Sequence, residues 1–150
     1  MSVQVVFRLP SIPVLREVGS IVIRHGQLDH VRRLAIKRLL GISINDAAYE
    51  SETMGMSGQL DKMIRKKLKA SKLESAQRVE LLRLLMETKR VTRFRNLLVH
   101  SVWAREPRKR LLLRDKKALH PIPSITVLKQ YGADIDCVLN QLNRLTRTLL

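Results

Sequence analysis

Val91-Thr92-Arg93-Phe94-Arg95-Asn96-Leu97-Leu98-Val99-His100-Ser101-Val102-Trp103 sets arginine, asparagine and histidine into an otherwise apolar stretch. On an α-helix, residues four apart share a face. Asn96 and His100 therefore point the same way, and Lys89 and Arg93 continue the stripe at spacings of four and three. An imidazole titrates near neutral pH and can act as general acid or base, while a guanidinium grips two phosphate oxygens with its planar fork. Asn96 is suited to orient the ring or to donate to a phosphate oxygen. In RNA the substrate's own 2′-hydroxyl can be the nucleophile, so a proton acceptor and cationic donors are the only groups such a cleavage asks for. Arg95 falls instead with Leu84, Val91, Leu98 and Val102, on a face expected to pack against other helices, where a lone guanidinium needs a partner.

Other chemistries lack their residues. No Gly-rich phosphate loop precedes a helix, no two histidines have metal-ligand spacing and no serine sits on a nucleophile elbow, so neither a metal nor a cofactor is implied. The balance of 29 Lys and Arg against 13 Asp and Glu, a net charge of +16, favours a polyanionic partner. Nucleic acid is the first reading, and a plain solubilising surface or an anionic membrane are the competing ones. No basic and apolar segment stands apart from the core to favour the membrane, and no clear helix-turn-helix spacing favours a DNA-binding regulator. Lys62, Arg65, Lys66, Lys67 and Lys69 form the densest cationic run, an ordinary solvated face that can also track phosphates. His25, Asp29 and Arg32, at spacings of four and three, interrupt an apolar face. They read first as a self-satisfying polar cluster, with Asp29 a secondary site candidate.

The elements that must position these groups follow from periodicity. Ser2 to Leu9 reads as extended, and Pro10 and Pro13 punctuate the chain before a helix from about Val14 to Leu40, with Ser11 as cap and Gly41 as stop. Its apolar face is Val14, Val18, Ile21, Val22, Leu28, Ala35, Ile36 and Leu39. Residues 41 to 58 have no sustained period and read as a loop. Gln59 to Lys69 gives a short helix with Leu60, Met63, Ile64 and Leu68 inward. A third helix runs from Leu73 or Glu74 to about Trp103, capped by Ser71 or Ser75, with Trp103 as a plug where the helix ends. Ala104 to Asp115 reads as a hairpin turning at Glu106-Pro107-Arg108-Lys109, with arms able to pair with each other or with the N-terminal segment. Lys116 to Ser124 reads as a linker, and Ile125 to Leu150 as a last helix whose apolar face holds Val127, Leu128, Ile135, Val138, Leu139, Leu142 and Leu145.

These elements specify an all-α chain: a single domain over residues 1–150, an antiparallel bundle of about four main helices with a small β-hairpin between the last two. Cys137, the one cysteine, excludes an internal disulfide and reads as a packed core thiol. With no apolar run near the ~20 residues that span a bilayer and no signal-peptide core, the expected location is the cytosol.

Arg95-Asn96-Leu97-Leu98-Val99-His100 resembles the R-x4-6-H signature of HEPN domains, in which a polar residue commonly follows the arginine. The helical layout of nearly the whole chain is similar too, with the motif late in the penultimate long helix. The resemblance implies a helical bundle, often a homodimer in which two copies of the motif meet. It also implies metal-independent ribonuclease activity, a role as toxin or defence effector, and an antitoxin or other protein partner. By that resemblance His100 is the general acid/base, Arg95 the phosphate clamp and Asn96 the supporting polar residue. Arg93, seven residues before His100, fits the looser spacing and shares the histidine's face, so it remains a second candidate for the clamp. A non-catalytic bundle of the same kind, holding RNA or a protein partner, is the alternative expectation.

Overall fold

The computed structural model describes residues 6–7, 9–43, 45–46, 59–105, 111–114 and 119–149. Four helices dominate it: α1 (Ile12–Leu40), α2 (Gln59–Ala70), α3 (Ser75–His100) and α4 (Ile125–Thr148). Four short strands accompany them: β1 (Val6–Phe7), β2 (Val102–Arg105), β3 (Leu111–Arg114) and β4 (Leu119–Pro121).

Helix boundaries follow local chemistry. The stop at Gly41 is an αL cap: its φ is 67°, and the N–H groups of Gly41 and Ile42 both donate to the Lys37 carbonyl, at 2.9 and 3.2 Å. The start of α3 differs from expectation. Ser71 closes α2 by donating its hydroxyl to the Leu68 carbonyl at 2.7 Å. The N-cap position before α3 belongs to Glu74, whose N–H donates to Gln77 Oε1 at 3.3 Å, half of a capping box. At α4, Ser124 Oγ accepts from the Val127 N–H at 3.2 Å.

The chain forms two compact units, Met1–His25 with Arg90–Ile135, and Gly26–Lys89 with Asp136–Leu150. In the first unit Ile21, Val91, Leu98, Leu128 and Ile135 are buried. In the second the core is Leu28, Ala35, Ile36, Ile64, Leu68, Leu81, Leu84, Val138 and Leu142. Each large aliphatic side chain removed from water in this way contributes about 1.5–3 kcal/mol, which is what holds helices of this composition in place. Val22 and Val127, counted by periodicity into apolar faces, are exposed. Cys137 is exposed as well, a correction to its expected core position. It falls between Ile135 and Val138 in sequence but about 200° around the helix from Ile135, and its Sγ accepts from Gln141 Nε2 at 3.3 Å.

The region after α3 departs from an isolated hairpin. β2 and β3 pair antiparallel, Val102 opposite Arg114 and Arg105 opposite Leu111, as the inner strands of a four-stranded antiparallel sheet in the order β1-β2-β3-β4. β1 pairs with β2 and β4 with β3, which covers both edges that a two-stranded hairpin would leave open. Leu119 to Pro121, expected within a linker, is thus a strand, with Pro121 on an outer edge that tolerates its missing N–H. The turn at Glu106 to Lys109, most of the 41–58 segment and the side chains of Leu60 and Met63 lie outside the described residues.

Candidate functional site

The last turns of α3 are fixed from three directions within the first unit. Toward α1, the buried His25 ring places Nε2 2.8 Å from Thr92 Oγ1. Toward α4, Arg90 Nη2 lies 3.1 Å from Asp134 Oδ2, and Gln130 Nε2 donates to the other oxygen of the same carboxylate at 2.9 Å. Phe94 stacks on Tyr131 with ring centroids 3.4 Å apart, and the Arg90 guanidinium sits 5.7 Å from the Tyr131 centroid. Rising numbers on α3, 90 then 94, meet falling numbers on α4, 134 then 131, so these segments run antiparallel. Beyond the helix, Trp103 Nε1 donates to the Leu98 carbonyl at 2.9 Å and satisfies one of the acceptors that a helix end leaves open. The Arg24 side chain of α1 reaches Gly132 of α4, where a Cβ would come within 2.5 Å of its Nη1.

Among the side chains these contacts leave outward are Arg93, Asn96 and His100, all exposed, with the apolar Val99 exposed beside them. At 100° per residue the three polar residues fall within an arc of about 60° on the helix surface. The Ser101 N–H donates to the Leu97 carbonyl at 3.2 Å, so the helical ladder runs unbroken past His100. Arg95 consequently stays about 140° away from the histidine. It is half-buried, on the face of Val91 and Leu98, and its Nε is enclosed with no hydrogen-bond partner. The expected helix end near Trp103 is also corrected. α3 stops at His100, because Val102 and Trp103 enter the sheet as part of β2.

No family model, curated protein or solved structure matches the chain.

The remaining candidates lie in the second unit. Asp29 is held by two cations of its own helix, Arg33 Nη2 at 2.8 Å and Arg32 Nη2 at 3.3 Å, which makes it part of a local ion-pair cluster. His25 belongs to the first unit, where its Nε2 lies 2.8 Å from Thr92 Oγ1. Lys62, Arg65, Lys66 and Lys69 are exposed along α2, as solvated cations available to a polyanion. Lys89 is half-exposed and engaged. Glu80 is held below the ordinary carboxylate range by hydrogen bonds from Arg83, at 2.9 and 2.7 Å, with the charges of Arg83 and Arg144 adding to the effect against a smaller opposing effect of burial. Arg83 is raised correspondingly by the same contact and also donates to Gln141 Oε1 at 2.8 Å, a surface tie between α3 and α4.

No group of three or more metal-ligating side chains occurs among the described residues, and none of their helices is long and apolar enough to cross a membrane. Periodicity singled out the outward stripe. It could not show that Arg78, one turn into α3, reaches back to the end of α2. Its Nη1 donates to the Lys69 carbonyl at 3.3 Å and its Nη2 to Ser75 Oγ at 3.2 Å.

Proposed function

We propose that this is an RNA-binding protein that cleaves RNA without a metal ion, through the substrate's own 2′-hydroxyl. The observation that carries the proposal is the shared exposed arc of Arg93, Asn96 and His100 at the end of α3. His100 in its neutral form takes the 2′-hydroxyl proton. The 2′ oxygen bonds to phosphorus as the bond from phosphorus to the 5′ oxygen breaks, leaving a 2′,3′-cyclic phosphate. The departing 5′ oxygen takes a proton from a protonated imidazole, which a homodimer supplies as His100 of the second copy. Arg93 grips the nonbridging oxygens as negative charge develops on them, and Asn96 donates beside it. Arg93 takes this role rather than Arg95, because Arg93 shares the histidine's face. Its spacing to His100 still fits the loose form of the HEPN signature that the segment resembles. Exposed cations along α2 hold the strand by its phosphates, and an antitoxin-like protein is the partner class that the resemblance suggests.

A second reading has its own support. Among the described residues none hydrogen-bonds the His100 imidazole, so nothing there fixes the ring for proton transfer, which suits a non-catalytic RNA-binding or dimerisation module. Mixed RNAs incubated in EDTA with the wild type and with His100→Ala separate the two. The nuclease yields cyclic-phosphate ends that disappear in the variant while RNA affinity is kept. Purified protein that leaves every RNA intact across salt and pH establishes the binding module instead.

A further inference from the structure

The second unit contains a groove of about 380 Å³ where the end of α2 meets the start of α3. Its apolar lining is Leu68, Val79 and Leu82, and its charged lining is Arg65, Lys69 and Arg78. No carboxylate is among the described residues that line it. Val79 is 69% exposed, an unusual position for an aliphatic side chain in a groove that three cations surround. Arg78 is fixed there by its bonds to the Lys69 carbonyl and to Ser75 Oγ, so its charge is held at the groove before anything binds. Phosphates alone would use the cations and leave the apolar lining idle.

We propose that this groove docks an acidic amphipathic helix of a partner protein. Apolar residues three and four apart on that helix would cover Val79 and Leu82, with flanking carboxylates meeting Arg65, Lys69 and Arg78. A helix laid against two others is an established way of burying such a face, and anchors at this spacing are its signature. Charge decides against a second copy seated groove to groove, because Arg65, Lys69 and Arg78 would then face the same three cations. A concave groove with a recessed Leu68 also mismatches a flat bilayer.

The probe is a fluorescent synthetic peptide of about 15 residues, a length at which helices begin to persist, with leucine at every third or fourth position and glutamate elsewhere. A second peptide replaces each leucine by serine at unchanged charge. A labelled uridine-rich oligonucleotide tests nucleic acid. With the full chain at ~150 mM salt, the leucine peptide is expected to bind at least about tenfold more tightly than the serine peptide. Val79→Ser, a change at an exposed position, should weaken it about tenfold while leaving oligonucleotide affinity unchanged. The double variant Arg65→Glu with Lys69→Glu should abolish peptide binding, with far-UV circular dichroism confirming intact helices in both variants. Equal binding of the two peptides, or leucine-peptide affinity indifferent to Val79→Ser, overturns the proposal. So does oligonucleotide binding as sensitive to Val79→Ser as the peptide is, which would make the groove part of a nucleic-acid path. None of these readouts depends on RNA cleavage.

Discussion

Replacing Arg95 by methionine should make the protein more stable. The Arg95 Nε is enclosed without an acceptor, on a face shared with the buried Val91 and Leu98. A buried donor left unsatisfied costs about 1–3 kcal/mol. Because the residue as a whole is half-buried, the outer part of its guanidinium reaches water, and the lower half of that range, about 1–2 kcal/mol, is the appropriate magnitude. Methionine keeps an unbranched apolar stem and nearly the same helix propensity while removing the donor. For a chain of this size 1 kcal/mol moves the melting temperature by about 2–4 °C, so the expected gain is roughly 2–8 °C. Urea unfolding followed by circular dichroism should show a higher midpoint at an unchanged m-value. A loss of more than about 1 kcal/mol would refute the reasoning, because it would mean that the head group makes contacts worth more than its burial costs. The same variant bears on the site. With Arg93 as the phosphate contact, Arg95→Met should cleave RNA at close to the wild-type rate, whereas Arg93→Ala should lose about 100-fold.

Two further outcomes concern the frame that holds the stripe. Thr92→Val keeps the shape of the side chain but removes the hydroxyl 2.8 Å from the buried His25 ring. It should cost about 1–3 kcal/mol in urea unfolding, and a change within error would show that the pair does not matter. Glu80 has a folded-state pKa below its ordinary 4.5, so its contribution is complete above that value and is lost as acid carries the pH down through the depressed one. With both partners largely exposed to solvent and salt, the contribution should be at most about 0.5 kcal/mol, and Glu80→Gln should flatten the acid limb of the stability curve by no more than that.

Most of the helical frame was legible because apolar residues recur at the helical period. Ile21, Leu28, Ala35 and Ile36 on α1, and Leu128, Ile135 and Leu142 on α4, are buried as their spacing requires. The angular separation of Arg95 and His100 was legible too, since it follows from residue number alone. Periodicity gives a face, however, and not the helix that will oppose it. The pairing of His25 with Thr92 and of Arg90 with Asp134 joins residues 67 and 44 apart, and no local pattern encodes either. Val22 and Val127 mark the same limit, because an apolar stripe can be wider than the contact it makes. The early end of α3 depended on strand partners on both sides of β2, so it was decided by pairing and not by helix propensity.

Gly132 and Arg24 should leave a faint joint signature in the history of this sequence. A methyl group at 132 would meet only the far end of a flexible side chain, the Arg24 Nη1 2.5 Å away, which can swing to another rotamer. Among descendants, an alanine at 132 should therefore be found beside a retained arginine as well as beside shorter residues, whereas larger residues at 132 should favour the shorter ones at 24.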